Sequence, residues 1–92
     1  MARRHYISPG DWIRIGQTNC VVSRVWPAGT VSGDCEVVFN PDKPTYRNAC
    51  WTGERWDFVK SGDIGGYAGK SARLRIFVEI LKAGRGPSRW PF

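Results

Sequence analysis

Apolar and polar positions alternate in short runs along this chain, and clusters of turn-forming residues separate the runs. Trp12-Ile13-Arg14-Ile15 puts two isoleucines on one side of an extended segment and Trp12 and Arg14 on the other, the period of a half-buried strand. Pro9-Gly10-Asp11 before it reads as a turn, and Gly16-Gln17-Thr18-Asn19 after it as a loop. Residues 20–26 are rich in valine and predict a second strand. Pro27-Ala28-Gly29 ends it, because proline has no N–H to give to a ladder. Cys35-Glu36-Val37-Val38-Phe39 predicts a third strand, closed by the turn cluster Asn40-Pro41-Asp42-Lys43-Pro44. Residues 46–51 and 55–59 read as a hairpin around Thr52-Gly53-Glu54, with Gly53 available for a positive φ. Trp56 and Phe58 share one face of that hairpin, and Arg55 and Asp57 share the other. Residues 61–69, with glycine at 62, 65, 66 and 69, read as a long loop.

Segment 72–82 fits two periods. As a strand, Ala72, Leu74, Ile76, Val78 and Ile80 alternate with Arg73, Arg75 and Glu79, but Phe77 and Leu81 spoil the polar face. As a helix, Leu74, Ile76, Phe77, Val78, Ile80 and Leu81 fill one arc and Arg75, Glu79 and Lys82 the other, with Arg73 alone out of place. Ser71 is a natural N-cap and Gly84 a natural stop; Arg75 and Glu79 pair at i,i+4, and Lys82 suits the negative C-terminal end. We take the helix reading, over about residues 72–83.

Five short strands followed by a helix predict a mainly β, α+β domain over residues 9–84, with a basic arm at 1–8 and a flexible tail at 85–92. The chain has 92 residues. A chain of this size buries only about 60–65% of its unfolded surface, enough for one core. That excludes a two-domain enzyme, a full dinucleotide-binding fold and a (β/α)8 barrel.

The runs Pro9-Gly10-Asp11-Trp12-Ile13-Arg14-Ile15, Val21-Val22-Ser23-Arg24-Val25 and Glu36-Val37-Val38-Phe39 resemble the layout of small SH3-like barrels. In style the chain is also similar to short proteins encoded by mobile gene cassettes. The resemblance implies a five-stranded antiparallel barrel or half-open sheet with a C-terminal helix. Such barrels serve adaptors, nucleic-acid binders, toxins and one unusual reductase, so the resemblance implies no activity. That reductase has a Val-Gln-Ile-Tyr stretch in its shared pore. The nearest match here is Val78-Glu79-Ile80-Leu81, with Glu for Gln and Leu for Tyr, so the reductase activity does not carry over.

The formal net charge is +6. Five of those six charges lie at the ends, on Arg3 and Arg4 and on Lys82, Arg85 and Arg89, while residues 11–79 carry nine basic and eight acidic side chains. Basic chains invite nucleic-acid binding through phosphate contacts, but here such binding would lean on the ends as much as on the body. Ten of the fourteen cations are arginine, the better planar partner for phosphate and carboxylate.

Cys20, Cys35 and Cys50 are odd in number, which argues against a complete disulfide framework. In a hairpin of 20–26 with 35–39, Cys20 and Cys35 lie about 16 Å apart, at about 3.3 Å per strand residue, too far for a bridge. Free, mostly buried thiols and a reducing, cytoplasmic compartment are expected. His5 is the one histidine and no Cys-x-x-Cys occurs, so neither a metal nor a cofactor is expected. No apolar run is long enough to cross a membrane, and residues 1–10 show no signal peptide.

Gly65-Gly66-Tyr67-Ala68-Gly69-Lys70-Ser71 ends like a phosphate-binding loop, but Ile64 stands where the motif needs glycine. What remains is an ordinary anion site of Lys70, Ser71 and Arg73 at a helix start, against the plainer reading of a glycine loop with a serine cap. Asp57 and Asp63 are a candidate carboxylate pair for acid–base work, against the plainer reading of solubilising polar residues, and a Cys–His pair would have to recruit His5 from the arm, so no catalytic residue is assigned.

Trp12, Arg14, Trp51, Arg55, Trp56 and Tyr67 are the candidate contact residues, with Trp51 and Trp56 also expected to fill the core and Trp12 open to burial under the helix. The leading expectation is a non-enzymatic module that recognises a protein or peptide partner, with homodimerisation through a sheet edge as a variant. The alternatives are a sequence-tolerant nucleic-acid binder using Arg, aromatic residues and basic tails, and a small ligand-binding oligomer with an interface pocket.

Overall fold

The computed structural model describes residues 7–27, 33–59 and 65–84. The predicted tail at 85–92 lies outside them, as does the arm at 1–8 apart from Ile7 and Ser8. Asp63 of the candidate carboxylate pair and His5 lie outside them too. Strands β1 (Trp12–Ile15), β2 (Thr18–Val25), β3 (Cys35–Phe39), β4 (Thr45–Trp51) and β5 (Trp56–Phe58) form an antiparallel meander in that order. A two-residue strand β6 (Gly66–Tyr67) pairs with the start of β4, and helix α1 (Arg75–Ala83) follows. β1 and β5 approach each other and share one core without a ladder between them among the described residues, so the sheet curls into a half-open barrel. This is the mainly β, α+β architecture that the patterning predicts.

Three boundaries differ from expectation. β2 begins at Thr18, because Ile15 pairs with Thr18 and the connection shrinks to Gly16-Gln17, with Gly16 at φ 62°. The glycine-rich stretch is not loop throughout. Gly65, at φ 92°, packs so closely on the carbonyl of Tyr46 that no Cβ fits, and this approach lets Gly66 and Tyr67 join the sheet. Helix α1 starts at Arg75, three residues late. Ser71 does accept the Leu74 N–H at 3.3 Å, but it caps the turn at 72–74, and Leu74 at the helix start has no side-chain cap. This also accounts for Arg73, which lies before the helix and owes nothing to its periodicity.

Two apolar clusters lie on opposite faces of the sheet. Inside the curl are Ile13, Ile15, Cys20, Val22, Cys35, Val37, Ala49 and Trp56, joined at the margin by Ile7, Val25, Phe39, Trp51 and Phe58. Outside it, Val21 and Val38 are covered by Ala68, Leu74, Val78 and Leu81, with Trp12, Tyr46, Phe77 and Ile80 at the edges. β2 and β3 are therefore buried on both faces, and Val21, Val22, Val37 and Val38 have no exposed surface. Each contributes about 1.5–3 kcal/mol by leaving water. Ile76, placed in the apolar arc by periodicity, is 61% exposed because α1 presents a narrower stripe to the sheet.

A β-bulge divides β2. Val22 pairs with Val37 and Arg24 with Glu36, leaving Ser23 as an extra residue. Ser23 and Arg24 both turn to the outer face, so Val22 and Val25, three apart in sequence, both reach the inner core.

Candidate functional site

The outer face carries three polar assemblies around α1. Glu36 precedes the inward Val37 in the alternation of β3, so its carboxylate emerges on the outer face, where it is buried at 5% exposure. Arg73 reaches it from the turn before α1 with a bidentate pair at 2.8 and 3.2 Å, and Ser23 Oγ donates to it, 2.8 Å from Oε1 and 3.1 Å from the Glu36 carbonyl oxygen. Its hydrogen bonds to Glu36, and then the charge of that carboxylate, hold the Arg73 guanidinium above its ordinary pKa against partial burial. This clasp ties the turn before α1 to β2 and β3.

Beside the clasp, the exposed Arg24 guanidinium stacks over the Trp26 ring at 5.2 Å. Trp26 Nε1 donates to Asn48 Oδ1 at 3.1 Å, and its backbone N–H donates to the Asp34 carbonyl at 2.9 Å. The indole is thus held at both its backbone and its ring. Farther along the same face, burial and then Asp34 and Asp57 raise the pKa of the half-buried Cys50 thiol. Burial alone pushes Cys20 up to about 12. Neither thiol is activated as a nucleophile.

At the other end of α1 lies a shallow groove of about 510 Å³. Trp12 and Leu81 supply apolar wall and Gln17, Asn19 and Asn40 also line it, while Phe39, another lining residue, packs its ring inside the curl; none of the lining residues is ionisable.

The sequence-predicted contact residues do not converge. Trp12 and Arg14 share the outer side of β1 as the alternation requires, but Trp12 is half-buried against the helix cluster while Arg14 is exposed. Trp51 and Trp56 pair across the β4–β5 hairpin with ring centroids 5.6 Å apart, inside the curl, where Trp56 is buried. Arg55 is exposed at the hairpin turn, and Tyr67, 51% exposed, pairs with Thr45 at the opposite end of β4 from Trp51. Of the anion-site residues, Lys70 is exposed, the Ser71 hydroxyl receives the Leu74 N–H, and Arg73 is engaged by Glu36.

Arg24, Trp26 and Asn48 were not singled out from the sequence, although Arg24 and Trp26 stand two apart in a predicted strand, the spacing that places two side chains on one face. Among the described residues, no group of three or more His, Cys, Asp or Glu could hold a metal ion, and no helix is long and apolar enough to cross a membrane. The chain matches no known protein family, no curated protein and no solved structure.

Proposed function

We propose that this chain is a non-enzymatic binding module, an SH3-like half-barrel that recognises a protein partner through an aromatic and arginine surface. The observation that carries the reading is the Arg24–Trp26 stack, held by Asn48 on the outer face. Trp and Arg are over-represented among residues that dominate binding energy. A ring already fixed by a hydrogen bond loses little freedom when a partner covers it. The ionisable groups near it are engaged in structural work: Glu36 with Arg73 and Ser23, and Asp34 with the Trp51 N–H at 2.6 Å.

Affinity capture from nuclease-treated extract at physiological salt tests this, comparing the wild-type chain with Arg24→Ala and Trp26→Ala, followed by calorimetry on any retained protein. The reading expects a defined protein that binds the wild type and is weakened at least tenfold by each variant. Retention by all three chains alike would overturn it. So would ligands that disappear altogether on nuclease treatment, which would instead favour the nucleic-acid alternative.

A further inference from the structure

Resting on the function proposed above, the charges around Arg24 and Trp26 also select the chemistry of the partner. Two cross-strand rows order the outer face there. Arg24, Glu36 and Asn48 stand opposite one another on β2, β3 and β4. Two residues farther along, about 7 Å at about 3.3 Å per residue, the Trp26 N–H bonds to the Asp34 carbonyl and Cys50 stands opposite Asp57. In the first row both oxygens of Glu36 are taken, Oε1 by Arg73 and Ser23 and Oε2 by Arg73. Arg24, exposed and over the Trp26 ring, has no carboxylate of the described residues within ion-pair distance. A guanidinium held over an indole keeps N–H donors around its rim, where two of them match the two oxygens of a carboxylate. The second row limits how much negative charge the ligand can bring. Asp34 Oδ2 accepts the Trp51 N–H at 2.6 Å and Asp57 Oδ1 the Phe58 N–H at 2.9 Å, and after burial it is the charge of these two carboxylates that raises the Cys50 pKa. A nucleic-acid strand or a phosphorylated side chain would lay further negative charge beside them, with Arg24 alone to offset it, since Arg73 is committed to Glu36. A single carboxylate asks for no more than Arg24 offers. We infer that the Arg24–Trp26 surface binds a segment of the partner protein that carries one acidic side chain, its carboxylate forked onto Arg24 and a neighbouring apolar side chain against Trp26.

The test uses the full-length, 15N-labelled chain and pools of acetylated, amidated hexapeptides. Each pool is randomised over uncharged residues around one fixed position, which is Glu, Gln, Lys or phosphoserine. A single-stranded oligonucleotide is titrated alongside at physiological salt. The Arg24 Nε–H signal and the Trp26 indole signal are followed. The Glu pool is expected to shift both saturably, with the Gln and Lys pools at least tenfold weaker and the phosphoserine pool and the oligonucleotide weaker than Glu. Arg24→Ala should abolish the response to the Glu pool. Arg24→Lys, which keeps the charge at an exposed position and loses the fork, should weaken it several-fold. The inference is overturned if the Gln or Lys pool binds as well as the Glu pool, if Arg24→Lys binds the Glu pool undiminished, or if no pool moves these signals. Tighter binding of the phosphoserine pool or the oligonucleotide than of the Glu pool would also overturn it, because the site would then be built for phosphate. Should extract capture still yield a protein that is lost with Arg24→Ala and Trp26→Ala while the Glu pool fails, the proposed function stands and the acidic partner falls. Capture unaffected by either variant removes both.

Discussion

Gly84 stands directly against Trp12: the space that a Cβ at position 84 would take is already filled by indole carbon Cζ2, with the Ile80 carbonyl 2.8 Å away on another side. The need for glycine here comes from this close approach and not from a left-handed turn, since Gly84 has φ −76°. Its N–H closes the helix on the Ile80 carbonyl at 2.7 Å.

Gly84→Ala should therefore destabilise the fold by about 1–3 kcal/mol, the usual cost of forcing an extra methyl into a packed site. Trp12→Phe in the same chain, by shortening the ring, should recover part of the loss. Urea midpoints of the three chains measure both effects. A neutral Gly84→Ala would mean that Trp12 and the end of α1 do not pack as described.

Breaking the Glu36–Arg73 clasp should be costly from one side and mild from both. Arg73→Met leaves a buried carboxylate with only Ser23 to satisfy it. The cost should be about 2 kcal/mol, below the 3–5 typical of fully buried pairs because the Arg73 side chain is 42% exposed and partly screened. Glu36→Met combined with Arg73→Met should restore most of that stability, since two apolar side chains leave no buried charge unpaired. Equal losses in the single and double variants would contradict this account.

Alkaline stability should report Cys20. Burial pushes its thiol from the ordinary value of 9.0 up to about 12. Below pH 9 the thiol is neutral in both states and the associated stability is fully present. Between pH 9 and about 12 only the unfolded chain loses the proton, so stability should fall by about 1.4 kcal/mol per pH unit. Cys50, whose pKa is also raised, adds a contribution of the same sign. Urea unfolding of wild type and Cys20→Ala from about pH 8 to 11 should show a shallower slope in the variant. Identical slopes would mean that Cys20 ionises in the folded chain. Thiol labelling at neutral pH should modify Cys50 before Cys20.

Arg47 has a buried Nε without a hydrogen-bond partner, a 3.4 Å bond from its Nη2 to the Val59 carbonyl, and a stacking contact at 4.5 Å with Phe58. An unmet buried donor costs about 1–3 kcal/mol, comparable to what the other two contacts return. Arg47→Met should leave thermal stability unchanged or raise it slightly. A loss of several degrees in Tm would show that the guanidinium contributes more than these contacts.

The strands and the helix were legible because alternation and 3.6-residue periodicity are local properties, and Ile13 with Ile15 or Trp56 with Phe58 declare a face without help. The faces of β2 were not legible in the same way. Val21, Val22 and Val25 break a simple alternation, and only pairing with Val37 and Glu36 shows where the extra residue lies. The clasp was hidden for a similar reason, since Glu36 and Arg73 are brought together by the path of the chain around the sheet. Trp12 was correctly read as sharing a side with Arg14, but whether the helix would cover it depended on where α1 crossed. The Gly84 stop was foreseen for the wrong physical reason: helix-ending propensity pointed to it, whereas the close approach of Trp12 requires it.

The bulge at Ser23 makes this one point of the chain tolerant of a change in length. With regular pairing and Ser23 retained, Arg24 and Trp26 would turn inward and Val25 outward. Omitting Ser23 altogether would remove the surplus residue and leave Val22 and Val25 facing in and Arg24 and Trp26 facing out, at the loss of one hydroxyl on Glu36. A residue gained or lost just after Cys35, in a strand that runs in unbroken register with β4, has no such outlet and would exchange inside for outside from Glu36 to Phe39. Descendants of this chain can thus differ by one codon at position 23 and still present the same two surfaces, whereas one codon more or less in β3 would erase both.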